Sequence, residues 1–373
     1  AGRMMSAAHR PAMTSGLPAS IRTLSQANHG IVVVVSVVTG AGTAVGSVGG
    51  GTSSGWMVIR PRHSGARRAR ASSRAEQASP RWATMETRGR VGRPGKGDGV
   101  ARDVLAEIVE RKKREVAAAQ AVRPLEVVRA AAEAVPGPRD FVGALLDTAR
   151  PVAVIAEIKR KSPSAGWIRP EYEGGSFSPE GIASRYHANG AAAISCLTDP
   201  AGFGGELGYL ARVRAAVPIP VLRKDFVLDA YQVYEARAAG ADAVLLIAEC
   251  LSDLEMRDLH ATARGLRMGV LIEAHDQANF ARVVGVFGDP APNGTLFGVN
   301  NRDLRTLEVD LGRTEELVRG LKAPGRVVGE SGIRTRGDVS RLGRAGVRIL
   351  LVGEHLMRQE DPGAGLAALI GAG

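Results

Sequence analysis

Short apolar segments alternate with helix signals through the C-terminal part of this chain, and this alternation restricts its possible folds. Eight segments have the Val-, Ile- and Leu-rich composition of strands buried on both faces. They lie at 152–158, 192–197, 219–223, 242–247, 269–273, 295–299, 326–330 and 347–352. Eight consecutive strand-helix units predict an α/β fold of the (β/α)8 barrel type, the TIM barrel. The alternative, an open doubly wound sheet, normally has fewer strands and a glycine-rich first turn, and neither fits.

The segments between the strands carry helix start and stop signals. Ser178 before Pro179 predicts an N-cap with proline at the first helical position, and Asp229 is a candidate N-cap. Ser252 and Glu255 have the spacing of a capping box. Three glycines follow a helix and precede a strand, as expected for a residue that ends a helix in the left-handed conformation: Gly190, Gly240 and Gly346.

Two amphipathic helices are predicted before the first strand. From Asp103 onward, apolar residues recur at helical spacing among Glu, Lys and Arg. They are Leu105, Ile108, Val109, Val116 and Ala117. A second helix is predicted from about 124 to 134. The barrel is therefore expected to carry extra N-terminal helices.

The positive charge of the chain is confined to its N-terminal part. The first 100 residues hold 14 Lys and Arg against three acidic residues, whereas the remaining 273 hold 35 of each. Residues 1–97 are rich in Gly, Ser, Ala and Arg with almost no helix or strand periodicity, which predicts a disordered basic leader. We expect residues 98–373 to form one catalytic domain, which is electrically balanced and shows no nucleic-acid footprint.

The leader allows several interpretations. Its apolar stretch 31–48 is too rich in Gly, Thr, Ser and Ala for a membrane span and too far from the start for a signal peptide. An Arg-rich, acid-poor leader is also typical of an organelle transit peptide, and 60–74 could contact RNA. We favour a reading frame assigned too far upstream, with translation beginning near Met85.

Cysteine and histidine usage indicates the compartment and argues against a metal. Cys196 and Cys250 lie in apolar segments without a CxxC pattern, which is typical of reduced core residues in a cytoplasmic protein. The seven histidines form no pair with metal-ligand spacing. We expect no metal and no cofactor.

Polar and charged residues stand at the carboxyl ends of six predicted strands. In a parallel barrel these ends converge on one face, where active sites form. The residues concerned are Glu157 and Lys159 after strand 1, Lys224 and Asp225 after strand 3, Glu273 on strand 5, Asn300, Asn301 and Arg302 after strand 6, Glu330, Ser331 and Gly332 after strand 7, and Gly353 and Glu354 after strand 8. Their recurrence predicts an active site rather than six solvated strand tips.

The residue types indicate the chemistry of this site. Gly332 and Gly353 follow strands 7 and 8, where backbone N–H groups commonly hold a phosphate. Lys159, Lys224 and Arg302 suit a substrate that also carries a carboxylate. Crowded cations lower a lysine pKa and a nearby carboxylate opposes this, so a suitably placed lysine can act as general acid. Glu273 is the only acidic residue on strand 5, and we expect it to transfer protons.

Motifs in the same order along the chain resemble those of indole-3-glycerol phosphate synthase, a barrel enzyme of tryptophan biosynthesis. The resemblance extends from about Leu105 to the C-terminus and does not cover 1–97. The motifs are VIAEIKRKSPSAG, PVLRKDFVLDAYQVYEARAAGAD, VLIEAH, GVNNRDLRTLEVDL, VVGESGI and LVGEHLM. The resemblance implies a carboxy-lyase that converts 1-(2-carboxyphenylamino)-1-deoxyribulose 5-phosphate to indole-3-glycerol phosphate with loss of CO2 and water.

The resemblance also implies a role for each matching residue. Lys224 protonates the ketone oxygen, and Lys159 pairs with the anthranilate carboxylate and helps steer protons. Glu273, assisted by Asn300, transfers a proton during dehydration, while Glu157 orients the lysines. The implied substrate-binding residues are Ser162, Phe226, Arg302, Ser331, Gly332, Gly353 and Glu354. Position 354 is often serine in this family, so Glu354 is expected to offer the phosphate only its backbone N–H.

Two other functions fit this sequence less well. A phosphoribosylanthranilate isomerase would need a cysteine near the end of strand 1, and residues 152–166 contain none. A non-catalytic barrel with an RNA-binding leader would lack acid and base groups at its strand ends, in contrast to this sequence. We therefore expect a small phosphorylated substrate as partner, no nucleic acid or membrane at the barrel, and a monomer or weak homo-oligomer.

Overall fold

Eight parallel strands form a closed barrel in the computed structural model, which describes residues 104–163, 166–173, 175–303, 306 and 308–371. The strands are β1 Ala153–Ile158, β2 Ala193–Leu197, β3 Val221–Lys224, β4 Ala243–Ile247, β5 Gly269–Ala274, β6 Thr295–Asn300, β7 Val327–Glu330 and β8 Ile349–Val352. β1 pairs with β2 on one side and with β8 on the other, which closes the ring. The predicted (β/α)8 barrel is confirmed. The predicted leader, 1–97, lies outside the described residues.

Helices surround the barrel and also precede it. They are α1 Val104–Val122, α2 Leu125–Ala134, α3 Phe141–Leu146, α4 Pro179–Ala188, α5 Pro200–Phe203, α6 Tyr209–Ala216, α7 Ala230–Ala238, α8 Asp253–Gly265, α9 Gln277–Phe287, α10 Gly312–Leu317, α11 Arg336–Arg344, α12 Glu354–Met357 and α13 Pro362–Ile370. The two predicted N-terminal helices are α1 and α2. Helix α3 was not predicted, because six residues are too few to establish a helical period.

The predicted helix boundaries are confirmed at atomic detail. The side chain of Ser178 accepts a hydrogen bond from the backbone of α4, and Asp229 and Ser252 each form a complete capping box. Gly190, Gly240 and Gly346 have φ of 92°, 95° and 89°. Because an L side chain is strained at such angles, glycine is required where each helix turns into the next strand.

Two apolar layers hold the barrel together. Outward-facing strand residues pack against the surrounding helices, and inward-facing residues fill the barrel interior. Helix α3 closes the amino-terminal end of that interior, where Phe141 packs against Gly269 and Ala243 at the beginnings of β5 and β4. The opposite, carboxyl end of the barrel is left open for a site.

Replacement of Phe141 by alanine is expected to destabilise the barrel without altering its active site. Phe141 is 1% exposed and does not line the cavity described below. Its removal leaves a void at the end of the inner core, so Phe141→Ala should lower the free energy of unfolding by about 3 to 5 kcal/mol in a chemical denaturation curve. Val127→Ala, at a position 52% exposed on α2, serves as control and should change stability little.

The alternation of side chains along each strand brings charged groups into the mouth of the barrel. On a strand, residues two apart face the same side. Four charged residues each stand two positions after an inward-facing apolar residue: Glu157 after Ile155, Lys224 after Leu222, Glu273 after Leu271, and Glu330 after Val328. These four charged side chains therefore form a layer directly above the apolar interior, at the carboxyl end of the barrel. We call this layer the charged floor.

The chain immediately after β1 forms a small additional element beside this mouth. Lys161–Ser162 pairs with Gly166–Trp167 in an antiparallel hairpin. Within the described ranges, no helix combines the length and the apolar composition needed to cross a membrane.

Candidate active site

One cavity of about 440 Å³ opens at the carboxyl end of the barrel. All twelve residues predicted for the site line it: Glu157, Lys159, Ser162, Lys224, Phe226, Glu273, Asn300, Arg302, Ser331, Gly332, Gly353 and Glu354. The structure thus brings together residues that are almost 200 positions apart in the chain. Their chemical roles remain predictions.

Lys224 occupies the centre of the charged floor. Its ammonium group lies 2.5 Å from Oε2 of Glu273 and 3.0 Å from Oε2 of Glu330. Burial opposes the charged form, but the carboxylates of Glu273 and Glu330 outweigh burial and raise the pKa of Lys224. Carboxylates, rather than crowded cations, therefore dominate its environment, and Lys224 is an ammonium ion at neutral pH.

The two carboxyl groups beside Lys224 differ in how readily they ionise. Glu273 also accepts a hydrogen bond from Nδ2 of Asn300, at 2.9 Å, and its Oε1 lies 3.1 Å from Nε2 of His275. Burial disfavours its ionised form, but Lys224, His275 and Asn300 together hold the pKa of Glu273 well below its usual value. Burial and then the charge of Glu273 raise the pKa of Glu330 to about 8. Of the two carboxyl groups, Glu273 is therefore the one that ionises more readily.

Glycines make room for the acidic side chains in this crowded floor. A Cβ on Gly298 would collide with the carboxylate of Glu330, and one on Gly353 would collide with the carboxylate of Glu157. Glu157 in turn lies 2.6 Å from Nζ of Lys159. Glu157 was expected to orient both Lys159 and Lys224. In the structure it is in direct contact with Lys159, whereas Glu273 and Glu330 hold Lys224.

The ends of β7 and β8 form a second, less acidic part of the cavity. Ser331 and Gly332 have φ of 63° and 81°, so the backbone turns sharply just after β7. Burial disfavours ionisation of Glu354, but Arg358, Lys159 and Arg302 outweigh it and lower its pKa. Arg358 donates to the Glu354 carboxylate at 2.9 Å, so this negative charge is compensated next to the glycine turns.

Helix α1 forms part of the wall above the barrel mouth. Leu105 and Ile108 line the cavity. Farther along the helix, Lys112 is 3% exposed and its ammonium lies 2.9 Å from Asp199 and 3.0 Å from Asp225. Because Asp225 directly follows Lys224, this buried ion cluster fixes α1 against the loop that begins just after the central lysine.

Sequence reasoning did not assign roles to three groups that the structure adds to this site. They are Glu330, His275 and the apolar pair on α1. Glu330 had a readable signal, because it stands two positions after an inward-facing valine on β7. His275 ends the motif VLIEAH, but its contact with Glu249 depends on how the loop after β4 packs against β5. In the described part of the chain, His, Cys, Asp and Glu side chains form no group suited to a metal ion.

Comparison with known proteins supports the interpretation reached from the motifs. Residues 105–369 match the family model described as indole-3-glycerol phosphate synthase. A protein of that name from Albidiferax ferrireducens is 51% identical over 269 residues, which cover 72% of this chain and 98% of the relative. Another, from an Azoarcus species, is 52% identical over 274 residues, with 72% and 99% covered.

Proposed function

The chain belongs to the indole-3-glycerol phosphate synthase family, and on this premise we propose how its side chains close the indole ring. The enzyme converts 1-(2-carboxyphenylamino)-1-deoxyribulose 5-phosphate to indole-3-glycerol phosphate in tryptophan biosynthesis, with loss of CO2 and water. The substrate presents a ketone, a carboxylate and a phosphate. Its site therefore needs a proton donor, a proton acceptor and two regions that bind anions.

Lys224 is the general acid for ring closure, and its position between Glu273 and Glu330 is the observation that supports this role most strongly. Attack of the aromatic ring carbon on the ketone places negative charge on the ketone oxygen. The resulting alkoxide is more basic than an amine, so even a lysine with a raised pKa can protonate it. Because the lysine is charged before the substrate arrives, it also stabilises the transition state electrostatically.

Glu273 is the proton acceptor during dehydration. It is ionised, it lies on the cavity floor, and Asn300 fixes one of its oxygens. A proton taken up by Glu273 has a short path to a deprotonated Lys224, because the two groups are 2.5 Å apart. After ring closure CO2 leaves and the aromatic ring is restored, and Lys224 regains a proton from solvent, the one proton that the overall reaction consumes. In dehydration Lys224 protonates the hydroxyl, which leaves as water, while Glu273 takes the proton from the neighbouring carbon and returns it to Lys224, so the pair ends in its starting protonation state.

The remaining residues bind the two anionic ends of the substrate. Lys159 and Arg302 pair with the carboxylate, while Glu157 orients Lys159 at 2.6 Å. Backbone N–H groups at the glycine turns after β7 and β8 hold the phosphate. Arg358 compensates the charge of Glu354, so this side chain does not repel the dianion. Phe226 and Ser162 complete the wall around the aromatic ring.

The proposed activity can be tested with the full chain. Purified protein incubated with 1-(2-carboxyphenylamino)-1-deoxyribulose 5-phosphate should form an indole product, measured by its fluorescence, and release an equal molar amount of CO2. Absence of both products under saturating substrate would contradict the lyase function. Conversion of phosphoribosylanthranilate instead would indicate the isomerase that the sequence analysis considered.

We further propose that residues 98–373 act as one catalytic domain, in the cytoplasm, as a monomer or weak homo-oligomer. All twelve predicted site residues come from one chain, which supports a site that is complete without a partner. Cys196 and Cys250 are free thiols, as is usual in a reducing compartment. Light scattering across a concentration series would measure the oligomeric state.

A further inference from the structure

His275 contacts two carboxylates at the edge of the active-site floor. It directly follows β5 and is 6% exposed. Nε2 lies 3.1 Å from Oε1 of Glu273, and Nδ1 lies 3.1 Å from Oε2 of Glu249. The backbone N–H of His275 also donates to Oε1 of Glu249 at 2.8 Å. Glu249 therefore holds both the ring and the backbone of this residue.

We propose that His275, held by Glu249, is a positioning residue for Glu273. This role rests on the proposed function of Glu273 as proton acceptor. Two donors, Nε2 of His275 and Nδ2 of Asn300, fix Oε1 of Glu273. With Oε1 held in this way, Oε2 is directed at the ammonium of Lys224, where the proton exchange of the reaction takes place.

The same contacts distinguish Glu273 from Glu330. Glu273 has three donors around it, whereas the Oε1 atom of Glu330 has no hydrogen-bond partner and Oε2 has Lys224. A carboxylate with more donors ionises more readily. The imidazolium of His275, together with Asn300, therefore favours ionisation of Glu273 over ionisation of Glu330.

The charges around His275 are consistent with a stable imidazolium. Burial opposes its charged form, but Glu249 and Glu273 outweigh burial and raise the pKa of His275 to about 10. The neighbouring thiol of Cys250 stays neutral, because burial raises its pKa to about 12. On α9, Arg282 donates to the carbonyls of Ala248 and Leu251 on either side of Glu249 and pairs with Asp253. Beyond Glu273 lie Lys224 and Glu330.

The test replaces the imidazolium with a neutral amide and records pH profiles of turnover. His275→Gln should lower kcat about 10-fold with little change in KM, because the substrate contacts remain. The acid limb of the kcat profile should move upward by about one pH unit, since Glu273 loses a stabilising positive charge and its pKa rises. Glu249→Gln, which keeps the imidazole, should shift the limb in the same direction by a smaller amount.

Two further measurements serve as controls: a substitution of a histidine outside the cavity, and the His275 substitution made in protein that already lacks the Glu273 carboxylate. His260→Gln on α8, where the ring contacts Thr295 away from the cavity, should leave the profile unchanged. In a Glu273→Gln background, His275→Gln should have no further effect on kcat, because its role acts through Glu273. Unshifted acid limbs in both His275→Gln and Glu249→Gln would overturn the proposal.

The failure of this proposal is distinguishable from failure of the proposed function. If Glu273→Gln alone impairs turnover but the His275 and Glu249 variants keep the normal pH profile, only the positioning role is wrong. If Glu273→Gln retains full activity, Glu273 is not the proton acceptor, and the positioning role is overturned with it.

Discussion

Lys224→Ala should retain the barrel but turn over substrate about 10³-fold or more slowly than the wild type. The ammonium is the group that neutralises charge on the ketone oxygen during ring closure, and the methyl group of alanine cannot donate a proton. Glu273 and Glu330 then lose their shared cation and one of them takes up a proton, which allows the fold to persist. Steady-state rates of indole fluorescence, with circular dichroism as a check on folding, measure both outcomes.

The control for this variant is a lysine remote from the cavity. Lys322 is exposed on the loop before β7, and Lys322→Ala should have wild-type kcat and KM. Near-normal turnover by folded Lys224→Ala protein would exclude Lys224 as the general acid. Loss of turnover together with loss of the circular dichroism signal would require the same comparison with Lys224→Met, which preserves side-chain volume without a proton to donate.

Glu273→Gln should lower kcat about 100-fold or more while KM changes much less. The amide has nearly the same shape as the carboxylate and can still contact Asn300, but it cannot accept a proton. Lys224 can still protonate the ketone oxygen in this variant, so ring closure should continue. The ring-closed intermediate that still carries the hydroxyl group should then accumulate. Rapid quenching followed by mass spectrometry can detect this intermediate in a single turnover.

An exposed acidic residue provides the matched control for this second variant. Glu133 pairs with Arg129 on the surface of α2, and Glu133→Gln should leave turnover unchanged. An unchanged kcat in Glu273→Gln would remove Glu273 from the mechanism. Accumulation of unreacted substrate rather than the intermediate would assign Glu273 to ring closure instead of dehydration.

Alternation of apolar strands and capped helices was enough to predict the barrel. Strand and helix signals are local, so each unit could be identified by itself, and the capping residues Ser178, Asp229 and Ser252 lie where the structure has them. Helix α3 was missed because a six-residue helix has no measurable period. Its assignment depends on Phe141 filling the end of the barrel, which is a tertiary contact.

The composition of the site was also largely contained in the sequence. Parallel strands in a closed barrel all end on one face, so polar residues at strand ends must share that face. This geometric rule was sufficient to bring Glu157, Lys224 and Glu273 to one cavity. Motif resemblance then identified the substrate, which residue types by themselves could describe only as an anion with a phosphate and a carboxylate.

The protonation of these groups was decided only by the tertiary structure. The sequence left open whether cations or carboxylates would dominate around Lys224, and the folded chain surrounds it with Glu273 and Glu330. It likewise joins His275 to Glu249 from a neighbouring strand end. A pKa depends on burial and on distances of a few ångströms between side chains. Such distances are fixed only when the strands pack, whereas apolar periodicity, helix caps and the order of strand ends are properties of the chain itself.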